Sequence, residues 1–302
     1  MEVFVTGGTG VLGRPVVRSL LAKGHFVRVA ARSEANEALI RELGATPVRL
    51  DLFDAAAVRE AVRGVHAVLH LATRIPSAAR MGDATIWAEN NRIRIEGTHN
   101  LVEAAIAAGA EVFVYPSITL VYADGGASLL AEDAPLASTP ITRSTLTAEQ
   151  EAMRFTGEGR RGVVLRMANF YGPEAVHTRE TLAYARKGIA PILGAPDAYM
   201  SYVWVDDAAA AVLAALERAP AGIYNVAEDA AATRAELTTA LALAAGRRSL
   251  WRLPAFLARW MMGAELVEQQ SRSQRVSNQA FKNATGWAPE VTRPSDGFAR
   301  LR

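Results

Sequence analysis

The chain has 302 residues, half of them hydrophobic and 21% charged, with a formal net charge of +2. That length supports one large domain, or a large one carrying a smaller lobe, and so slight a charge gives no case for a nucleic-acid partner. With no cysteine and five scattered histidines, disulfides and thiol catalysis are excluded and a zinc site is not expected. No apolar run reaches the roughly 18 residues of a membrane span, and the first apolar segment contains a glycine turn instead of reading as a signal peptide. A cytoplasmic protein acting on a small molecule, with no membrane partner and no metal, is expected.

The opening stretch, MEVFVTGGTGVLGR, is the one around which the others are arranged. Glu2 to Thr6 reads as a buried β-strand running into glycines at 7, 8, 10 and 13, after which Val11, Leu12, Val16, Val17, Leu20 and Leu21 recur at helical spacing. Strand, glycine turn and helix together present backbone N–H groups at a helix N-terminus to a phosphate. Gly7, Thr9, Gly10, Val11, Leu12 and Gly13 are the expected contacts to a dinucleotide. A second strand, His25 to Ala31, ends at Arg32-Ser33, and positions 30 to 33 hold no acid for a ribose 2′-hydroxyl. Arg32 and Ser33 suit a 2′-phosphate instead, so NADP(H) is expected over NAD(H).

Glu34 to Leu43 reads as a helix, Thr46 to Leu50 as a third strand, and Asp51-Leu52 follows where the adenine would lie. Asp54 is the expected N-cap of the next helix. Ala67 to Leu71 is a fourth strand, and Leu71, Ala72 and Thr73 at its end suit close passage of a cofactor. Residues 74 to 90, with Arg74, Met81 and Trp87, read as a loop and helix start over the cleft. A long helix runs to Ala108, and Glu111 to Tyr115 is a fifth strand emerging at Pro116, Ser117 and Thr119. Further helices and strands are read at Arg143 to Phe155, Gly162 to Met167, Tyr202 to Val205, Asp206 to Glu217, Ile223 to Val226 and Thr233 to Ala244. This alternation predicts an α/β fold with a doubly wound parallel sheet, its ligand crevice outside the strand C-termini. The aromatics and methionines Trp251, Trp260, Met261, Met262 and Trp287 suit either an apolar pocket wall or a packed small lobe.

TGGTGVLG at 6–13, DL at 51–52, HLAT at 70–73, EGTHNLVEAA at 96–105, VVLRMANFYGP at 163–173, YVWVDDAAAAV at 202–212 and TGWAP at 285–289 carry a likeness over nearly the whole chain. It resembles the extended short-chain dehydrogenase/reductases, the NAD(P)-dependent epimerase/dehydratase group. The resemblance implies a Rossmann dinucleotide-binding domain over 1–170, with 202–226 returning to it. A smaller substrate lobe is implied over 171–201 and 227–302, and two subunits pairing through the helices after strands four and five. It also implies that Asn169 and Phe170 touch the nicotinamide side.

The chain departs from that family where the chemistry sits. The tyrosine and lysine of the family's Y-x-x-x-K pair fall on Ile141 and Thr145, its serine on Ile118 and its helix asparagine on Arg94. An atypical member is implied. Ser117, Thr119, Tyr122 and Thr145 remain as candidate proton donors, each with a structural alternative in local hydrogen bonding or packing. Arg74, Trp87, Arg143 and His177 are candidate substrate contacts. A reductase of a conjugated or polycyclic, quinone-like carbonyl acceptor needs the general acid least. An epimerase or dehydratase with relocated acid–base groups and a non-catalytic NADP(H) redox sensor stay open beside it.

Overall fold

The computed structural model describes residues 1–76, 80, 84–252 and 254–302; Met81 lies outside them. Strand β1 (Glu2–Thr6) is followed by α1 (Gly13–Ala22), β2 (Phe26–Ala31), α2 (Glu34–Glu42), β3 (Thr46–Arg49), α3 (Ala55–Ala61), β4 (Ala67–His70), α4 (Ala84–Arg92) and α5 (Thr98–Ala107), the last two joined by a π-helical turn over Ile93–Gly97. Next come β5 (Val112–Ile118), β6 (Leu129–Leu130), α6 (Pro140–Arg154), β7 (Arg161–Met167), β8 (Asn169–Tyr171), α7 (Val176–Arg186), β9 (Ile189–Ala190), β10 (Tyr199–Met200), β11 (Tyr202–Trp204), α8 (Val205–Arg218) and β12 (Gly222–Val226). The C-terminal part adds β13 (Ala232–Thr233), α9 (Arg234–Ala244), β14 (Trp251–Arg252), α10 (Ala255–Met262), α11 (Ala264–Ser271), β15 (Arg275–Val276), α12 (Gln279–Thr285) and α13 (Pro294–Ala299).

Seven strands form one sheet in the order β12-β7-β5-β4-β1-β2-β3, and every neighbouring pair is parallel. Side chains alternate across the sheet. Val3 and Val5 of β1 therefore join Val16, Val17 and Leu20 of α1 and the alanine-rich α8 on one face. Phe4 joins Val58, Leu101, Ala148 and Phe155 on the other. Strand order reverses between β1 and β4, which places the ligand crevice at their carboxyl ends. A third cluster, with Tyr171, Leu182, Trp204, Leu237, Leu241 and Phe298, is the core of the C-terminal part.

Three local features differ from the sequence reading. Helix α6 begins at Pro140, three residues before Arg143, because Thr139 and Thr142 form a capping box ahead of a proline in the first turn. Strand β5 continues past Tyr115 to Ile118, since Ser117 and Ile118 still pair with Arg166 and Met167. The long helix after β4 is interrupted by the π-turn. The tryptophans also separate: Trp287 is buried against Phe281 and donates to the Asp207 carbonyl at 3.2 Å, whereas Trp251 and Trp260 are exposed. The side chains of Met261 and Met262 lie outside the described ones.

Beneath α13 lies a buried carboxyl, Glu228, which accepts the Tyr171 hydroxyl at 2.6 Å. Burial pushes its pKa up from 4.5 to about 8, with Asp207 and Asp296 adding to the rise and the Tyr171 hydrogen bond opposing it. Between these values the unfolded chain has released a proton that the folded chain retains. The favourable contribution is therefore complete below pH 4.5 and declines as pH rises towards 8. Glu228→Gln is expected to flatten this slope and to raise the melting temperature at pH 8 relative to the parent. Thermal melts from pH 5 to 8 check it, and parallel profiles for the two proteins would refute it.

Candidate functional site

The glycine turn is built as a cradle. Gly7 has φ +71°, and a Cβ there would stand 2.6 Å from the Leu71 carbonyl and the Ala72 nitrogen, so the ends of β1 and β4 approach as only glycine allows. Gly10 N–H closes the turn onto the Gly7 carbonyl at 3.0 Å. A Cβ on Gly13 would overlap that same carbonyl. Helix α1 starts with no side-chain cap from its N-cap residue, Leu12, and no acid in its first turn. Arg14 N–H returns to the Gly10 carbonyl at 3.1 Å and Pro15 carries no N–H, so the Leu12 and Gly13 N–H groups and the positive dipole end are what an external anion would meet, with Thr9, Gly10 and Val11 around them. These residues fit a dinucleotide pyrophosphate.

The other expected cofactor residues lie at the carboxyl ends of neighbouring strands. Thr6 Oγ1 meets His70 Nδ1 at 2.7 Å and the Ala72 N–H at 3.4 Å, fixing Leu71, Ala72 and Thr73 beside the glycines. Asp51 Oδ1 accepts the Phe53 N–H, and the Leu52 carbonyl accepts Asn100 Nδ2 at 2.9 Å. Ser33 caps α2, its hydroxyl oxygen accepting the Asn36 N–H at 3.3 Å. Arg32 Nη1 lies 3.0 Å from Glu89 Oε1. Pro116 stands within β5. Asn169 Nδ2 donates to the Ser201 carbonyl, while His177 Nε2 donates to the Phe170 carbonyl at 2.5 Å. His177 thereby holds the backbone after β7.

Two of the candidate proton donors, Ser117 and Tyr122, prove to be tied down. Ser117 donates its hydroxyl to Glu149 Oε1. Glu149 in turn takes Arg166 Nε at 3.0 Å and Nη2 at 2.8 Å, a bidentate pair in which both side chains are 4% exposed. Arg166 Nη1 donates to the Tyr122 hydroxyl at 3.0 Å and to the Glu132 carbonyl, and Tyr122 donates to Asn225 Oδ1 at 2.7 Å. Burial disfavours the Arg166 charge, but the Glu149 carboxylate outweighs it and holds the guanidinium above its ordinary pKa. Burial likewise raises the Tyr122 phenol, opposed by Arg166. Each of these protons is committed to a neighbour within the protein.

Thr119 is buried in a single 3₁₀ turn, Thr119–Val121, and Thr145 is fully buried. The Thr145 hydroxyl has no hydrogen-bond partner among the described residues. The π-turn carries Arg94 into this layer, 3% exposed, where Nε and Nη1 also lack partners among the described residues. Next to it, burial pushes Tyr115 up to about 12, opposed by Arg94. Burial drives His70 down to about 4, opposed by the Ile93 backbone and reinforced by Arg94. Tyr115 is therefore protonated and His70 neutral near pH 7, and neither changes state there.

Of the candidate substrate contacts, Arg74 and Trp87 share the crossover from β4 into α4, Trp87 being half-buried. Arg143 is exposed on α6, and His177 begins α7. The structure brings together Glu149, Arg166, Asn225 and Glu132, which sequence reading did not assign. The signal was Arg166, a lone charge inside the apolar strand VVLRM, which demands a buried partner.

The model of the NAD dependent epimerase/dehydratase family matches residues 3–227. The chain belongs to this family. It is 34% identical over 315 residues to a 3-diazoavenalumate denitrifying reductase from a Streptomyces species, covering 99% of this chain and 100% of that one. To a 2-alkyl-3-oxoalkanoate reductase of Stenotrophomonas maltophilia it is 30% identical, over 72% of this chain and 66% of that one. A human epimerase family protein crystallised with NADPH superposes with a TM-score of 0.84 at 22% identity, covering 100% and 99% of the two chains. MoeE5 in complex with UDP-glucuronic acid and NAD gives 0.80 at 21%, over 99% and 97%. These two likenesses concern the fold. No described helix is long and apolar enough to cross a membrane.

Proposed function

We propose that this family member is an NADPH-preferring reductase whose acceptor takes up hydride without a proton from the protein. Family membership and relatives named as reductases support an NAD(P)H-dependent oxidoreductase. Arg32 at the end of β2 supports the phosphorylated cofactor. When bound, the reduced nicotinamide supplies the hydride. The glycine turn and the α1 N-terminus hold the pyrophosphate; the end of β4 and the backbone after β7 line the cleft.

One observation carries the acceptor class: the hydroxyls left near the emptied tyrosine and lysine positions are committed or enclosed. Ser117 donates a hydrogen bond to Glu149 and Tyr122 to Asn225, while Thr119 and Thr145 are buried. An unactivated ketone reduced here would become a strongly basic alkoxide with no acid beside it, forfeiting the roughly 10²- to 10⁴-fold that general acid catalysis supplies. Acceptors whose reduction leaves a stabilised anion, such as quinones and conjugated enones, avoid that loss. Arene diazonium compounds avoid it differently, because hydride replaces the diazonium group and N₂ departs with no proton required. The diazo substrate in the name of the Streptomyces relative favours this second class.

Stopped-flow oxidation of NADPH with a quinone, a conjugated enone, an arene diazonium salt and a simple ketone is the test. At least one of the first three is expected to outrun the ketone by about 100-fold or more. Fast turnover of the ketone with the others ignored would overturn the proposal.

A further inference from the structure

Although no acid lies at positions 30–33, tertiary structure delivers one from α4. Glu89 Oε1 accepts Arg32 Nη1 at 3.0 Å, and its other oxygen, Oε2, accepts Arg74 Nη1. Arg74 is held in register by its own N–H, which donates to Asn90 Oδ1 at 2.8 Å, one residue beyond Glu89. Two guanidiniums from different strand ends therefore converge on one carboxylate beside the position where a dinucleotide places its adenosine ribose.

We propose that Glu89 is the selectivity residue for the cofactor. Its carboxylate takes the place between Arg32 and Arg74 that a 2′-phosphate would fill, and so limits the preference for the phosphorylated dinucleotide. This rests on the reading of Arg32 as the phosphate contact.

The charges support it. Two arginines match a phosphate of charge near −2, whereas with Glu89 between them the cluster carries only +1. A phosphate entering must displace Glu89 or sit against a like charge. The displacement is feasible because the group is solvated, Arg32 being 62% and Arg74 45% exposed, and ion pairs of that kind are individually weak. An unphosphorylated ribose meets no such conflict, since its 2′-hydroxyl can donate to Glu89 as it does to the acid of an NAD site. Ser33, whose hydroxyl accepts the Asn36 N–H and donates through its own proton, adds one donor to a phosphate.

Calorimetric titration of NADPH and NADH into the parent, Glu89→Gln, Arg32→Ala and Arg74→Ala tests the proposal. Glu89→Gln is expected to tighten NADPH about tenfold and to leave NADH unchanged or weaker. Arg32→Ala and Arg74→Ala are each expected to weaken NADPH about tenfold with little effect on NADH. Circular-dichroism spectra and thermal melts matching the parent serve as the control that each variant is folded. If Arg32→Ala weakens NADPH selectively while Glu89→Gln moves both cofactors equally or neither, the role of Glu89 is overturned and the cofactor reading stands. Should Arg32→Ala leave NADPH untouched, both fall. The same follows for the two-arginine clamp if Arg74→Ala has no selective effect. In the parent, a steeper loss of NADPH than of NADH affinity with rising salt is also expected, and equal slopes would count against the cluster.

Discussion

Glu149→Ala is expected to lower the thermal unfolding midpoint by roughly 10 °C. Breaking a buried, hydrogen-bonded ion pair by deleting one partner costs about 3–5 kcal/mol, and in a chain of this size each kcal/mol moves the midpoint by about 2–4 °C. The cost is large because Arg166 cannot escape to water. It is 4% exposed, packed 5.0 Å from the Tyr122 ring, and among the described residues would keep the Tyr122 hydroxyl and the Glu132 carbonyl as acceptors. Deleting Glu149 also strands the Ser117 hydroxyl. Glu149→Leu combined with Arg166→Met should recover much of the loss, since two apolar side chains leave no charge behind. Circular-dichroism melts of the single and double variants decide it. A single variant melting within 2 °C of the parent, or a double variant no better than the single, would show that the pair does not close the layer beneath the site.

Gly10→Val is expected to weaken NADPH and NADH alike by about 100-fold, about 2.7 kcal/mol, with a much smaller loss of stability. A Cβ on Gly10 would stand 3.2 Å from the Gly7 carbonyl, tight but short of a clash, and Gly10 has an ordinary negative φ. The fold can therefore absorb the substitution, whereas the methyl groups of valine would crowd the approach to the uncapped start of α1. The uniform loss separates this variant from those at Arg32, Arg74 and Glu89, which discriminate between the two cofactors. Unchanged affinity in a folded Gly10→Val protein would remove the pyrophosphate from this turn, and with it the basis for the proposed function.

Much of the fold was legible because its determinants are local. Apolar runs of β-branched residues locate β1, β2, β4 and β7 to within a residue or two, and glycines at fixed offsets followed by helical periodicity mark α1, each depending on neighbours in sequence. The boundaries that moved did so for reasons outside the periodic pattern. Thr139 and Pro140 start α6 ahead of its apolar face, and β5 is prolonged by its pairing with β7.

By itself the sequence determined the parallel sheet, the glycine cradle at its centre, and the absence of a tyrosine–lysine pair, since each is a matter of residue type at a spacing. Only the tertiary structure decided what the remaining side chains do. Ser117 and Glu149 are 32 residues apart and Tyr122 and Asn225 103 apart, yet these bonds turn candidate proton donors into parts of a closed network. Arg32 and Glu89 are separated by 57 residues. Their meeting supplies an acid that the end of β2 lacks. A hydrogen bond or ion pair is governed by distance in space and by exclusion of water, and neither is encoded in spacing along the chain once the partners lie on different strands and helices.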